Sequence, residues 1–203
     1  MSETKDVFLA VHGLVVKKAG TVANVAEVLD LESARVEAAL ATAVEAGQVL
    51  AARDKFMVTP AGRAWLDEQY PVLFAAQRVD EAFTGAYTRF EVVNKILLSL
   101  MTRWQTVTVG GASVPNDHAD DAYDAGIIDE LGAFHDRAVP ILKAFTVTVP
   151  RLSAYIDRLD AAQSEILAGN SDFVSGARVS SYHTVWFEMH EDLLRILGRV
   201  REE

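Results

Sequence analysis

The hydrophobic and polar positions of the first part of the chain predict three short helices. Apolar residues at helical spacing cover Val7–Ala19, and Thr21 is a good N-cap for a second helix over Val22–Leu29. We expect Asp30 to cap a third helix that ends near Gly47. The predicted buried face of this third helix carries Val36, Ala39, Leu40, Ala43 and Val44.

A short hairpin and a further helix are predicted to follow. Gln48–Ala52 and Phe56–Thr59 have the pattern of two strands around the polar turn Arg53-Asp54-Lys55, and Pro60 suits the first turn of a helix. Three helices followed by a small β-wing is the element order of a winged helix-turn-helix. The pattern therefore predicts an N-terminal winged-helix domain over residues 1–70.

Residues 71–203 are predicted to form an antiparallel helical bundle that also makes a homo-oligomer. We expect a first helix of roughly 35 residues, a loop over Val107–Pro115, and then a helix that Asn116 caps and Pro140 interrupts. The first of these helices carries a heptad seam of Phe83, Tyr87, Phe90, Asn94, Leu97, Met101 and Trp104. The last helix carries an apolar stripe of Val179, Tyr182, Trp186, Met189, Leu193 and Leu197.

Composition and charge narrow the class of protein. The chain of 203 residues is 50% hydrophobic, has a formal charge of −10 and contains no cysteine. A sizeable core is expected, and general disorder, disulfides, thiolate nucleophiles and Cys-ligated metals are excluded. No apolar stretch approaches the ~18–20 residues of a membrane span, and the polar start is not that of a signal peptide. We expect a soluble cytoplasmic protein with no membrane partner.

The charge of the predicted winged helix argues against DNA as its ligand. Residues 1–70 contain seven basic and ten acidic side chains, and the segment Glu32–Gln48, which would enter the major groove, has one cation against three acids. DNA affinity comes mostly from cations that displace counterions at phosphates. A role in binding protein therefore fits at least as well. The candidate DNA contacts are Lys17, Lys18, Arg35, Arg53 and Lys55.

Three aspartates share one face of the helix predicted after Asn116. Asp117, Asp121 and Asp124 are spaced i, i+4, i+7, which could bring carboxylates together around a divalent cation. Acidic residues in a first helical turn also stabilise the helix dipole, and this second interpretation explains the same pattern. We predict no metal and no cofactor.

The histidines of the last helix do not predict a catalytic centre. His183 and His190 are seven residues apart, so they lie about 10 Å apart along the helix and cannot chelate one ion. Each could join a separate site with groups from other helices, such as His135, or could be hydrogen-bonded inside the bundle. No P-loop and no nucleophilic triad is spaced informatively. We therefore see no independent active site.

Two resemblances to known families extend these predictions. The segment from Val49 to Arg63 resembles the wing and the following helix start of MarR and PadR regulators. The whole chain is similar to a family of actinobacterial MarR-like proteins that accompany phosphoenolpyruvate-utilising dikinase or synthase-like phosphotransferases. The segments that carry this similarity are Arg103–Gln105, Asn116–Asp120, Tyr123-Asp124 and Ser181–Leu194.

The family resemblance implies a regulatory or accessory subunit that binds a phosphoenolpyruvate-utilising enzyme and is not itself catalytic. The alternative is a DNA-binding transcriptional regulator whose helical domain senses a ligand. A third hypothesis is a metal or small-molecule site within the bundle, lined by His135, His183, Glu188 and His190. The candidate ligand or partner residues are Trp104, Asn116, Asp117, His118, His135, His183, Glu188 and His190.

Overall fold

The computed structural model describes residues 2–200, and their side chains from residue 4 onward. The chain is mainly helical, as the hydrophobic pattern predicts, and it has two small antiparallel sheets of two strands each. Of the described residues, those up to Asp80 and those from Glu188 form one compact unit, and Glu81–Phe187 form a second.

Seven elements make up the first unit before the chain passes into the second. They are α1 (Ser2–Lys17), α2 (Val22–Leu29), α3 (Ser33–Glu45), β1 (Val49–Ala52), β2 (Lys55–Val58), α4 (Pro60–Leu73) and α5 (Ala75–Val79). The second unit contains α6 (Glu81–Gln105), β3 (Thr106–Val109), β4 (Ala112–Pro115), α7 (Asp121–Thr146), a 3-10 turn (Pro150–Leu152), α8 (Ser153–Leu167) and α9 (Asp172–Ser175). Helix α10 (Tyr182–Leu197) begins among the residues of the second unit and ends among those of the first.

The boundaries of α2 and α3 follow from their capping residues. Thr21 and Asn24 form a capping box in which each side chain accepts a hydrogen bond from the backbone N–H of the other. Asp30 does not cap α3, contrary to expectation, but ends α2 in the left-handed conformation with φ 52°. Aspartate adopts this conformation more readily than most residues. Helix α3 begins after Glu32, which makes no side-chain capping bond.

The predicted hairpin and the predicted helix start at Pro60 are both confirmed. The Thr59 hydroxyl accepts from the backbone N–H of Gly62 at 3.1 Å, and Pro60 occupies the first helical position. A Cβ atom at position 62 would lie 2.1 Å from the carbonyl oxygen of Gln48. Glycine therefore allows the backbone of α4 to approach the segment that enters the hairpin.

The core of the first unit is built around α1. Val11 and Leu14 are fully buried on this helix. The ring of Phe8 lies 5.4 Å from that of Tyr70 and 6.1 Å from that of Phe74, so an aromatic cluster joins α1 to the end of α4. The predicted buried face of α3 is confirmed at Val36, Ala39, Leu40 and Ala43.

Contacts between distant parts of the chain define the extent of the first unit. Arg78 Nε on α5 donates to the carbonyl oxygen of Ile196 at 2.9 Å, and Lys17 Nζ lies 2.8 Å from Glu188 Oε1. A division after residue 70 would have placed α5 and the end of α10 in the second part. The two compact units therefore include different residues from the two predicted domains. An apolar stripe predicts that a helix face is buried, but it does not specify which other helix covers that face.

Helix α6 carries the predicted heptad seam, and all seven of its members are buried. The helix has 25 residues rather than roughly 35, because the chain ahead of Glu81 forms the separate helices α4 and α5. Asn94, the polar member of the seam, accepts a hydrogen bond from Trp186 Nε1 at 2.9 Å. The Trp186 indole also stacks on Phe90 with ring centroids 4.8 Å apart.

A second hairpin replaces the loop expected over Val107–Pro115. Strands β3 and β4 pair in antiparallel register, with Val107 opposite Val114. Gly110 and Gly111 form the turn with φ values of 60° and 85°. Such a turn needs positive φ at both positions, which glycine adopts without strain. The loop prediction was therefore wrong. Two adjacent glycines between segments that contain β-branched residues are typical of a hairpin.

Helix α7 is capped by Asp120, not by Asn116 as expected. The Asp120 carboxylate accepts from the backbone N–H groups of Ala122 and Tyr123 at 3.1 and 3.0 Å. The helix continues through Pro140, so the predicted interruption there is wrong. Its predicted apolar face is buried at Ile127, Leu131, Phe134 and Ala138. No helix among residues 2–200 has both the length and the apolar character needed to cross a bilayer.

Candidate functional site

Two of the candidate DNA contacts lie at the end of α1. Lys17 forms an ion pair with Glu188 at 2.8 Å, and the two side chains are only 14% and 5% exposed. Lys18 is exposed and adopts a left-handed backbone conformation with φ 67°. The charge of Lys17 is therefore balanced inside the first unit rather than presented to a phosphate backbone.

Arg35, the one basic residue of α3, is held by Asp6 of α1. Its Nε lies 2.7 Å from Asp6 Oδ2 and its second guanidinium nitrogen 2.5 Å from Oδ1, which is a bidentate pair. The hydrogen bond from Arg35 lowers the pKa of the Asp6 carboxyl, and the same bond raises the pKa of Arg35. The other exposed positions of α3 are small or acidic: Ser33, Ala34, Glu37, Ala38, Ala41 and Glu45.

The β1–β2 hairpin combines basic and apolar exposed residues. Arg53 is exposed in its turn with φ 59°, and Lys55 is exposed at the start of β2. Leu50 and Met57 are register partners across the two strands, and they are 55% and 41% exposed. Side chains directly opposite each other in a sheet lie on the same face, so this face carries an exposed apolar pair beside Lys55.

Four residues from the motif segments of the second unit form one hydrogen-bonded group, here called the His118 cluster: Trp104, Asn116, His118 and Asp124. The His118 ring lies over Trp104 with centroids 4.5 Å apart, and His118 Nδ1 lies 2.7 Å from Asp124 Oδ2. Asn116 Nδ2 donates to the Trp104 carbonyl oxygen at 3.1 Å and to Asp124 Oδ1 at 3.0 Å. Asn116 Oδ1 accepts from the His118 backbone N–H at 3.1 Å.

These hydrogen bonds assign the tautomer of neutral His118. Asn116 Nδ2 donates its two protons to the Trp104 carbonyl oxygen and to Asp124. It therefore has no proton left to donate to His118 Nδ1, which lies 3.2 Å away. His118 therefore donates from Nδ1 to Asp124, and its Nε2 retains a lone pair. The His118 side chain is 42% exposed, whereas Trp104 is buried. The His118 cluster thus holds an imidazole in a defined orientation at the protein surface.

Arg103, which precedes the buried Trp104, is also engaged near this cluster. It forms a bidentate ion pair with Glu130 at 3.0 and 2.5 Å, and its carbonyl oxygen accepts from the Tyr123 hydroxyl at 3.0 Å. The hydrogen bond from Arg103 lowers the pKa of Glu130. Glu130 therefore balances the guanidinium charge.

The aspartates predicted to share a metal-binding face have separate structural roles. Asp117 accepts from the backbone N–H of Ala119 at 3.1 Å, Asp120 caps α7, and Asp124 belongs to the His118 cluster. Asp121 is exposed at the start of α7. Within the described side chains, no three His, Asp or Glu residues are grouped so that they could hold a metal ion.

The histidines of the predicted small-molecule site lie in two different units. In the second unit, the Tyr182 hydroxyl lies 3.2 Å from His135 Nδ1, and His135 Nε2 lies 3.1 Å from Asp160 Oδ1. Burial raises the pKa of Tyr182, so its hydroxyl keeps the proton that it donates to His135. Burial lowers the pKa of His183 in the same unit. Glu188 and His190 belong to the first unit, where both are buried.

A buried polar network in the first unit was not predicted from the sequence. The Tyr70 hydroxyl lies 2.7 Å from His12 Nδ1, and His12 Nε2 lies 3.1 Å from Asp192 Oδ1. His12 and Asp192 are fully buried. The signal in the sequence was His12 itself, a polar residue within the apolar run of α1, since a buried polar group requires a hydrogen-bond partner.

A cleft of about 500 Å³ lies beside this network and is lined in part by Tyr70, Arg78, Glu191 and Arg195. Some of its charged groups are engaged within the protein. Arg78 donates to backbone carbonyl groups at the end of α10, and Arg195 lies 2.7 Å from Glu191. The protein itself therefore hydrogen-bonds Arg78 and partly neutralises Arg195, which are two of the cations that line the cleft.

Comparisons with known proteins identify no relative from which a function could be carried over. No family model matches the chain, no curated protein matches its sequence, and no solved structure matches its fold.

Proposed function

We propose that this protein is a non-catalytic regulatory or accessory subunit whose first unit is a winged helix that binds protein. The order of elements from α1 to α4 supports a winged helix, with β1–β2 as the wing. The predominantly helical second unit supports a bundle that contributes to a homo-oligomer. The partner is a phosphoenolpyruvate-utilising phosphotransferase, as the family resemblance of the chain implies.

The observation that best supports this proposal is the composition of the exposed surface of α3. A helix that reads DNA needs long polar or basic side chains for base edges and phosphates. On α3, alanine, serine and glutamate occupy the exposed positions, and the guanidinium of Arg35 is held by Asp6. Duplex DNA would bring phosphates close to Glu37 and Glu45. A polypeptide surface with apolar and basic groups complements the same face.

The exposed apolar pair of the hairpin supports the same proposal. Leu50 and Met57 would lose solvent exposure in contact with another protein, which is the main favourable term in such association. Methionine adapts its shape to a contact surface more readily than branched residues do. The wing therefore offers the apolar centre of an interface, and α3 offers an acidic rim.

Affinity purification of the full-length protein tests this function. We expect wild-type protein to retain a phosphoenolpyruvate-utilising enzyme from host cells, and Leu50→Glu/Met57→Glu to lose it. Val72→Glu/Val79→Glu is the matched control, because it adds the same charge at exposed valines of the same unit, which are 74% and 80% exposed. Retention of the enzyme by the hairpin variant, or its absence from the wild-type sample, would contradict the proposal.

The alternative function, a DNA-binding transcriptional regulator, is favoured by one observation. Arg53 in the turn of the hairpin and Lys55 at the start of β2 are exposed, where a wing would meet phosphates. A gel shift with the DNA upstream of the protein's own gene distinguishes the two functions. Binding that falls steeply with added salt and is lost in Arg53→Glu/Lys55→Glu would support the regulator.

A further inference from the structure

A groove in the second unit has features of a ligand site that the proposed function does not use. It has a volume of about 370 Å³, within the ~300–1,000 Å³ range of small-molecule sites. Helix α7 contributes Asp129, Gly132 and Asp136, and helix α8 contributes Gln163 and Leu167.

The Gln163 carboxamide lines this groove, and one of its polar atoms is buried without a hydrogen-bond partner. The residue is only 8% exposed, and its Oε1 is buried without a partner among the described residues. Leaving a buried amide without hydrogen bonds is unfavourable. Rotation about the last side-chain bond exchanges Oε1 and Nε2, which are nearly equal in size. Gln163 can therefore present either an acceptor or a donor to a ligand.

The negative charge of the groove favours a cationic ligand. Its charged side chains are Asp129 and Asp136, and neither lysine nor arginine lines it. Among the described residues, neither carboxylate takes part in an ion pair. Seven residues of helix separate the two aspartates by roughly 10 Å along α7. His135, which also lines the groove, is engaged by Tyr182 and Asp160.

Gly132 leaves the approach to Gln163 open. It lies between Asp129 and Asp136 on the same face of α7, and a Cβ atom there would be 3.5 Å from Gln163 Nε2. This is an ordinary van der Waals distance, so alanine fits without displacing the protein. An alanine methyl group would nevertheless occupy the space above the carboxamide.

We propose that this groove binds a linear polyamine. Its terminal ammonium groups pair with Asp129 and Asp136. Rotation of the Gln163 carboxamide brings Oε1 to the position that faces Gly132, where Nε2 otherwise lies, and a central ammonium donates to that oxygen. The methylene segments lie against Ala133 and Leu167, and the Leu167 side chain is 71% exposed without a ligand. A singly charged amine cannot satisfy both carboxylates at this separation.

Titration calorimetry of the full-length protein with spermidine tests this proposal. We expect Gly132→Ala to weaken binding by about tenfold, a loss comparable to one charge-assisted hydrogen bond. Asp129→Asn/Asp136→Asn should weaken binding by at least as much. Gly126→Ala is the matched control, because Gly126 lies on the same helix and a Cβ atom there meets nothing within 4 Å. Its affinity should equal that of the wild type.

Two outcomes would overturn the proposal. The first is no detectable heat of binding with wild-type protein. The second is equal affinity in wild type, Gly132→Ala and Gly126→Ala, which would mean diffuse attraction of a polycation to an acidic chain. Thermal melting of each variant without spermidine verifies folding, and Gly132→Ala should melt no lower than the wild type because alanine is the better helix former.

Discussion

Asp192 Oδ1 lies 3.1 Å from His12 Nε2, and both side chains are fully buried. These residues come from opposite ends of the described chain, on α10 and α1. Tyr70 bonds the other nitrogen of His12, so three helices of the first unit share one buried polar network. A satisfied network of this kind favours one arrangement of the helices, because any other would leave buried polar groups without partners.

Removing Asp192 should strongly destabilise the protein. Asp192→Ala leaves His12 buried without one of its partners, and the free energy of unfolding should fall by about 3 kcal/mol or more. Urea denaturation followed by circular dichroism measures this loss. Asp67→Ala removes an exposed carboxylate of the same unit and should change stability by less than about 0.5 kcal/mol. Equal effects of the two variants would show that the buried bond is not important for stability.

A methyl group at position 62 should also destabilise the first unit. In Gly62→Ala the Cβ would overlap the carbonyl oxygen of Gln48, and the backbone of α4 or of the hairpin entrance must shift. We expect a loss of about 1–3 kcal/mol in the free energy of unfolding. Gly126→Ala places the same methyl group in open space on α7 and should be neutral or slightly stabilising.

The buried hydrogen bond between Trp186 and Asn94 should couple α10 to α6. Asn94→Leu leaves the indole N–H without an acceptor at a position that is only 2% exposed, and should cost about 1–3 kcal/mol. A double-mutant cycle with Trp186→Phe measures the pairwise energy, which we expect to be about 1 kcal/mol. Additive effects in this cycle would mean that the bond contributes nothing beyond packing.

The stability of the protein should depend on pH through His183. Burial lowers its folded-state pKa below the ordinary value of 6.5. Below pH 6.5 the unfolded chain therefore binds a proton that the folded protein resists, and stability falls as the pH decreases toward the folded-state pKa. His183→Gln removes this dependence.

Melting temperatures of wild type and His183→Gln between about pH 8.5 and about pH 5.5 test this sign. The variant should gain stability relative to wild type as the pH falls, and the difference should be constant above about pH 7.5. If the difference in melting temperature between wild type and variant does not change with pH across the whole range, the lowered pKa of His183 is contradicted.

The His118 cluster makes a spectroscopic prediction. Asp124 should hold neutral His118 with its proton on Nδ1, which nitrogen chemical shifts in long-range proton–nitrogen spectra report directly. In Asp124→Ala the proton should redistribute toward Nε2, the nitrogen that commonly carries it in free imidazoles. Asp121→Ala is the control, because Asp121 is exposed and is not part of the cluster. An Nε2-protonated ring in the wild type would refute the hydrogen-bond assignment.

Local chemistry explains which parts of this protein could be predicted from the sequence. The capping box at Thr21, the helix start at Pro60 and the seam from Phe83 to Trp104 depend on residues within a few turns of one another. Such interactions are encoded by spacing alone. The errors at Asp30 and Asn116 have a local cause as well, because each residue can cap a helix but competes with a neighbour for that role.

The groupings that matter for function depend on residues far apart in the chain. The sequence determined the acidic character of α3, the basic character of the hairpin turn, and the apolar faces of α3, α6 and α7. Only the tertiary structure decided that Asp6 holds Arg35, that His12 meets Asp192, and that Gln163 faces Gly132 across two helices. A hydrophobic period specifies that a face is buried, but the partner that covers it is selected by complementary shape and hydrogen bonding in three dimensions.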